Sequence, residues 1–324
     1  MKDADGKPIA RRAFLSGLGG VAAQTLVAQQ APVPIIDTHI HLFDTTRPQG
    51  VPYPDKNNAT LYQPASPERY RKIALPLGIV GAIEVEASPW IEDNLWVLDV
   101  AAKDTIIVGT VGNLEPGKPE FPEYLERYHR NPLFRGIRYG NLWGRDITAE
   151  LVKPEFIAGL RLLAEANLVL DTANPRPELI EAMVRVTDKV PNLRIVIDHL
   201  PQLDPPVESA ALKQYETNLG ELAKRPQVYV KISEVLRRVN GRVPSDLNFY
   251  RSRLDHLWDI FGEDHVLFGS DWPNADNWAP FATGLGVVRE YFTAKGRPAA
   301  EKYFWKNSVA AYRWIRRDPS QPQA

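Results

Sequence analysis

The 324-residue chain is 44% hydrophobic, 24% charged and 10% aromatic, which provides a full apolar core and excludes disordered, collagenous and coiled-coil classes. Its 39 basic and 40 acidic residues leave a formal charge of −1, so no general field draws it to nucleic acid or an acidic membrane, and a small-molecule substrate is the expected partner. The absence of cysteine removes disulfides, thiolate metal sites and cysteine nucleophiles together, and any metal must sit on His, Asp or Glu.

At the N-terminus, Arg11-Arg12-Ala13-Phe14-Leu15 precedes an uncharged run of small and apolar residues that ends near position 28, the layout of a secretion signal. Paired arginines followed by Phe-Leu resemble a twin-arginine export signal. The run falls short of the ~20 residues a helix needs to cross a ~30 Å hydrocarbon layer, so no membrane span is predicted. The expectation is a signal over 1–30, read by the twin-arginine export machinery, and a periplasmic or secreted domain over 31–324.

Beyond the signal, runs rich in Val, Ile and Leu predict strands at 35–41, 79–86, 106–111, 135–139, 168–171, 194–198, 228–232 and 266–269. Helical spacing fills the stretches between them. Ser66 reads as an N-cap with Pro67 behind it, opening a helix over 69–77, and 154–166 reads as another. Eight strands separated by helices predict an α/β fold, a single-domain (β/α)8 TIM barrel. A doubly wound open sheet is the runner-up, weakened because no G-x-G-x-x-G turn follows the first strand.

In such a barrel, chemistry belongs at the C-terminal ends of the strands and in the loops after them. The longest of these loops, 43–63, carries Tyr53 and several prolines and reads as a lid or binding loop. Just before it, Asp37-Thr38-His39-Ile40-His41 places two imidazoles at i and i+2, on one face of a strand, close enough to converge on one ion at ~2.0–2.1 Å. His199 falls just past strand six and Asp271 just past strand eight, which in a closed barrel adjoins strand one. An aspartate there binds metal, takes a proton from water, or does both in turn. His129, His256 and His265 have no such company and are assigned no function. Arg138 and Lys231, at the ends of strands four and seven, offer a bidentate guanidinium and a compact ammonium to an anionic or oxygen-rich substrate. Tyr53, Trp90, Trp143, Trp272 and Trp278 all fall in βα loops, where aromatic side chains could wall a sugar or small ring.

Taken in order, Asp-Thr-His-Ile-His at 37–41, Arg-Gly-Ile-Arg at 135–138, Asp-His at 198–199, Val-Lys-Ile-Ser at 230–233, Phe-Gly-Ser-Asp-Trp-Pro at 268–273 and Phe-Trp-Lys-Asn at 304–307 resemble the amidohydrolase-related branch of the amidohydrolase superfamily. The resemblance spans nearly the whole mature chain. It implies a TIM-barrel hydrolase, with lactonases acting on sugar lactones, pyrone dicarboxylates and muconolactone-like compounds as the most similar group, and decarboxylases in the wider branch. It also implies His39 and His41 as the first-strand pair, His199 as the strand-six histidine and Asp271 as the strand-eight acid.

The chain departs from the superfamily's metal patterns: strand four offers no lysine and strand five no histidine. A two-metal centre is therefore not expected, and the decarboxylase reading is weakened. Glu86, ending strand two, either supplies a missing ligand at ~2.0–2.2 Å or pairs with a neighbouring cation. The reading that results is a lactonase opening a small cyclic ester. Asp271 activates water, His199 polarises the carbonyl, Arg138, Lys231, Tyr53 and Trp90 hold the substrate, and at most one divalent ion, Zn or Mn, sits among His39, His41, Asp271 and Glu86. Metal-free catalysis is the open alternative to that ion. An amidase or decarboxylase is the alternative on the same barrel, and a non-catalytic periplasmic binding protein the alternative of another class.

Overall fold

The computed structural model of the chain describes residues 31–323, so the expected export signal lies outside the described residues. The chain divides into two units, Met1–Pro32 and Val33–Ala324, and the second is the barrel. Among the described residues no helix is long and apolar enough to cross a membrane.

Eight strands, β1 (Ile35–Ile40), β2 (Ile79–Val85), β3 (Ile107–Gly112), β4 (Phe134–Arg138), β5 (Val169–Asp171), β6 (Arg194–Ile197), β7 (Val228–Lys231) and β8 (Val266–Leu267), pair in sequence order, each with the next and all parallel. Helices fill the crossovers. The predicted helix at 69–77 begins at Pro67, where the Ser66 hydroxyl accepts from the Arg69 N–H at 3.2 Å. It is α-helical only to Ala74 and finishes as a tighter turn over Leu75–Leu77, because Pro76 has no N–H for another i→i−4 bond.

The seam between β8 and β1 is irregular. Past Leu267 the chain leaves strand geometry, which is why β8 is shorter than the run at 266–269 predicts. It closes on β1 through Thr38 N to Phe268 O (3.0 Å), Asp271 N to His39 O (2.8 Å) and His41 N to Trp272 O (2.8 Å). Gly269 permits this approach: a Cβ there would stand 2.9 Å from the Cβ of His39. Asp37 ties the seam from below, accepting from the Ser270 N–H (2.8 Å) and the Tyr70 hydroxyl (2.7 Å).

Side chains alternate across each strand, and here both faces are buried. One set, including Ile35, Ala82, Ile107, Ile137, Leu170, Ile195, Val230 and Val266, packs in the large core with the helices. The alternate set, Ile36, Ile83, Val85, Val108, Val169, Val196, Tyr229 and Leu267, forms a separate cluster with Tyr312 and Trp314. Two residues further along those same interior-facing strands the chemistry changes abruptly. Val169 is followed on its face by Asp171, Val196 by Asp198, and Tyr229 by Lys231, so a polar layer rests on an apolar one.

Candidate active site

Lys231 is the hub of that polar layer. It is fully buried, and its Nζ lies 2.7 Å from Asp171 Oδ2, 2.8 Å from Asp198 Oδ1 and 3.1 Å from His39 Nδ1. An ammonium has three hydrogens and no acceptor, so these three partners exhaust it. The sequence reading places Lys231 at the mouth, facing substrate; the structure instead places it beneath the histidines, partnered on every side. Asp171, which also accepts from the Tyr312 hydroxyl at 2.8 Å, is pushed up to about 7, chiefly by burial.

Above this layer lie His39, His41, His199 and Asp271, all buried. Burial is the main cause holding all three histidines below the usual range, His41 at about 4 and the other two well below, so at neutral pH each is an uncharged imidazole. Their Nε2 atoms face Asp271 Oδ1 at 3.5, 3.0 and 3.7 Å respectively. Partners on the other ring nitrogens fix the tautomers. His41 Nδ1 lies 2.7 Å from the Val85 carbonyl, which only accepts, so that nitrogen carries the hydrogen and Nε2 presents a lone pair. His39 is the reverse: its Nδ1 receives a Lys231 hydrogen, which puts its own hydrogen on Nε2. His199 Nδ1 meets the Ser233 hydroxyl at 2.9 Å, a group that either donates or accepts and so permits both tautomers.

Asp271 is pushed up to about 6, first by burial, against the lowering hydrogen bond from Glu234 and the charge of Arg138. Glu234 stands well above the carboxylate range for the same reason, burial, with the Asp271 charge added, so it holds a proton and donates it to Asp271. His199, Glu234 and Asp271 lie two, three and four residues past the ends of β6, β7 and β8, and all three adopt the left-handed backbone, with φ of 51°, 48° and 60°. That conformation costs a non-glycine residue roughly 1–2 kcal/mol and concentrates at functional sites.

The remaining candidates are placed as follows. The Arg138 guanidinium, almost fully buried, bonds the Glu86 carbonyl at 3.3 Å and stands 3.9 Å from the Glu86 carboxylate and 3.8 Å from that of Asp198, with its Nε lacking a hydrogen-bond partner. Glu86 accepts from the Trp143 indole (3.0 Å) and the Ser88 N–H (3.0 Å), and it belongs to no group of converging metal donors among the described residues. Of the two readings of Glu86, the paired carboxylate is the one realised. Tyr53 and the half-exposed Trp90 line a cleft of about 470 Å³ that reaches Glu86. Trp272 is completely buried against Tyr70 and is no part of a binding wall, while Trp278 lies behind β7 and β8 beside Leu236 and Phe281.

Three participants escape the sequence reading. Glu234 follows the Val-Lys-Ile-Ser block directly, a strand-end position that could have marked it. Asn274 donates to Asp271 Oδ1 at 3.2 Å and accepts from the Tyr53 hydroxyl, linking the first loop to the acid; no spacing signal announces it. Asp198, adjacent to His199, is the base of the Lys231 network.

Converging donors form groups on either side of Asp271: His39, His41 and Asp271 on one, His199, Glu234 and Asp271 on the other, with His39, Asp198 and His199 as a third set. Within each, the candidate ligand atoms lie within 4.8 Å of one another. His39 Nε2 is a buried polar atom without a hydrogen-bond partner.

Known proteins are similar to this chain to differing degrees. An L-fucono-1,5-lactonase of Burkholderia ambifaria is 27% identical over 243 residues, covering 74% of this chain and 80% of its own. Among solved structures, an amidohydrolase from Burkholderia multivorans with bound zinc superposes with a TM-score of 0.75 at 20% identity, over 87% of this chain and all of that one. A 2-pyrone-4,6-dicarboxylic acid hydrolase assignment from Pseudomonas putida gives 0.67 at 20% identity, over 87% and 98%. These structures share the (β/α)8 fold. Residues 36–314, nearly the entire barrel, match the Amidohydrolase family, and the chain belongs to it.

Proposed function

We propose that the chain is a lactonase that hydrolyses a small, oxygen-rich cyclic ester. The observation that carries this is Asp271: a buried carboxyl lifted to about 6, whose Oδ1 lies 3.0 Å from His41 Nε2. A base with a proton affinity near the working pH is what water activation requires. Water attacks the lactone carbonyl carbon as Asp271 takes its proton. The O–H so formed donates to His41 Nε2, whose other nitrogen is anchored on the Val85 carbonyl. When the ring C–O bond breaks, that proton passes to the leaving alkoxide, giving the open hydroxy acid with atoms and charge balanced. In the ion-free chain His199, with Ser233 donating to Nδ1, presents Nε2–H to the developing oxyanion; with an ion on Nε2 the ring would take the other tautomer and the ion would polarise the carbonyl in its place. The donor capacity of Arg138 that Glu86 leaves free orients substrate oxygens.

The relative from Burkholderia ambifaria supports a sugar-lactone substrate, and the zinc in the Burkholderia multivorans neighbour supports a divalent ion. Bound by His39, His41 and Asp271 or by His199, Glu234 and Asp271, such an ion would add Lewis-acid polarisation of the carbonyl. The test is steady-state hydrolysis of aldono-1,5-lactones, pyrone dicarboxylate and simple amides, with a decarboxylation assay beside them. Saturable lactone opening that disappears in Asp271→Asn is expected. Amide cleavage or decarboxylation without lactone opening would overturn the assignment.

A further inference from the structure

We propose that a divalent cation binds this chain on His199, Glu234 and Asp271, not on the His39/His41 pair. The first-strand pair has the right spacing, but one of its rings is in the wrong tautomer. Lys231 donates to Asp171 Oδ2 at 2.7 Å, pairs in charge with Asp198 at 2.8 Å, and meets His39 Nδ1 at 3.1 Å, where an ammonium can only donate. A neutral ring that accepts at Nδ1 carries hydrogen at Nε2, so the nitrogen facing Asp271 has no lone pair to give. His41 and Asp271 alone make two donors, fewer than the three protein ligands of ordinary catalytic sites.

The other side has no such obstacle. The Ser233 hydroxyl can accept from His199 Nδ1–H, which frees the Nε2 lone pair. Bonds of ~2.0–2.2 Å in tetrahedral array place ligand atoms roughly 3.4 Å apart. His199 Nε2 and Asp271 Oδ1 stand at 3.7 Å, and Glu234 offers an oxygen within 4.8 Å of both. Two carboxylates facing each other in a buried setting need a cation or a shared proton between them. The left-handed backbone at all three residues, each strained, turns three consecutive strand ends towards one point. A carboxylate has about four lone-pair sites, so Asp271 ligates without losing its capacity to accept a proton.

The inference rests on reading this mouth as the reactive centre, and its test uses no substrate, so it stands or falls separately from the lactonase assignment. Purified protein is dialysed against chelator, and Co²⁺ is titrated into wild type, His41→Asn, Glu234→Gln and Glu234→Asp, with visible absorption and bound equivalents as readouts. Wild type is expected to bind one equivalent with ligand-field bands, and His41→Asn to keep them with little change in Kd. Glu234→Gln should weaken binding by about 10–100-fold or more, and Glu234→Asp, which keeps a carboxylate, by less. If Glu234→Gln fails to fold, Glu234→Asp decides, because its Kd must rise above that of His41→Asn. Loss in His41→Asn with retention in Glu234→Gln would put the ion on the first-strand pair and overturn the proposal. Absence of binding to folded wild type, or two equivalents that both survive Glu234→Gln, would overturn it equally.

Discussion

Replacing Lys231 by methionine tests the buried network directly, because the ammonium is fully enclosed and faces two carboxylates at 2.7 and 2.8 Å. Methionine fills similar space but leaves Asp171 and Asp198 without their cation. Breaking a buried ion pair from one side costs about 3–5 kcal/mol. At roughly 2 °C per kcal/mol, the low end suited to a chain of this size, Tm should fall by about 6–10 °C at pH 8. The pH dependence has a definite sign. Asp171, at about 7 in the folded chain against an unfolded value near 3.8, binds its proton more tightly when folded, so its contribution to stability declines as pH rises from about 4 to 7. Removing Lys231, whose charge lowers Asp171, raises that carboxyl further, which steepens the decline and extends it upwards. Thermal unfolding of wild type and variant at pH 5.5 and 8 is the assay, and the variant's deficit should be smaller at pH 5.5. A Tm within about 2 °C of wild type at pH 8 would refute the hub assignment, and with it the tautomer deduced for His39.

Four further outcomes are expected. Asp271→Asn should lower kcat by about 10²–10⁴ with little change in KM, read from steady-state lactone hydrolysis with folding checked by circular dichroism. In wild type, kcat/KM should rise with pH through an acid limb near 6 as Asp271 loses its proton, and a limb near 4 would disqualify it as the base. Arg138→Lys should raise KM more than it lowers kcat, because a bidentate contact is replaced by a point charge; an unchanged KM would remove Arg138 from substrate binding. Fractionation should find the wild type outside the cytoplasm and an Arg11→Lys/Arg12→Lys variant retained inside it, whereas uncleaved wild type in the cytoplasm would contradict export.

Much of the barrel was legible because its strands are buried on both faces and therefore read as continuous Val/Ile/Leu runs, and the runs end where chemistry begins. The His39/His41 spacing and the strand-eight position of Asp271 were likewise visible in one dimension. Depth was not. Alternation says which face Lys231 takes but not how far up the barrel it stands, because height in the interior depends on strand stagger. Lys231 sits one layer above Tyr229 and one below Ser233, too low to meet substrate. Glu86 could be read two ways for a related reason: sequence position puts its carboxylate at a strand end but does not say that Trp143 and Arg138 stand beside it. Glu234 was invisible to strand reasoning because it lies past the end of β7, where a left-handed residue breaks the alternation.

The same backbone conformation explains how the mouth gathers more acid than a set of regular strands could. If β6, β7 and β8 simply continued, successive side chains would point in and out, and only every second residue would reach the axis. A left-handed residue at 199, 234 and 271, in the turn just past each strand, breaks that alternation, so three polar groups meet with no regular strand beneath them. Lys231 then settles what the older-looking half of the site can do. By occupying His39 Nδ1 it leaves the ring hydrogen on Nε2, 3.5 Å from Asp271, while His41, anchored on the Val85 carbonyl, presents a lone pair there. Two histidines two residues apart thus have opposite polarities. That opposition suits managing a proton at Asp271, whereas Ser233, able to donate or accept, leaves the His199 tautomer free.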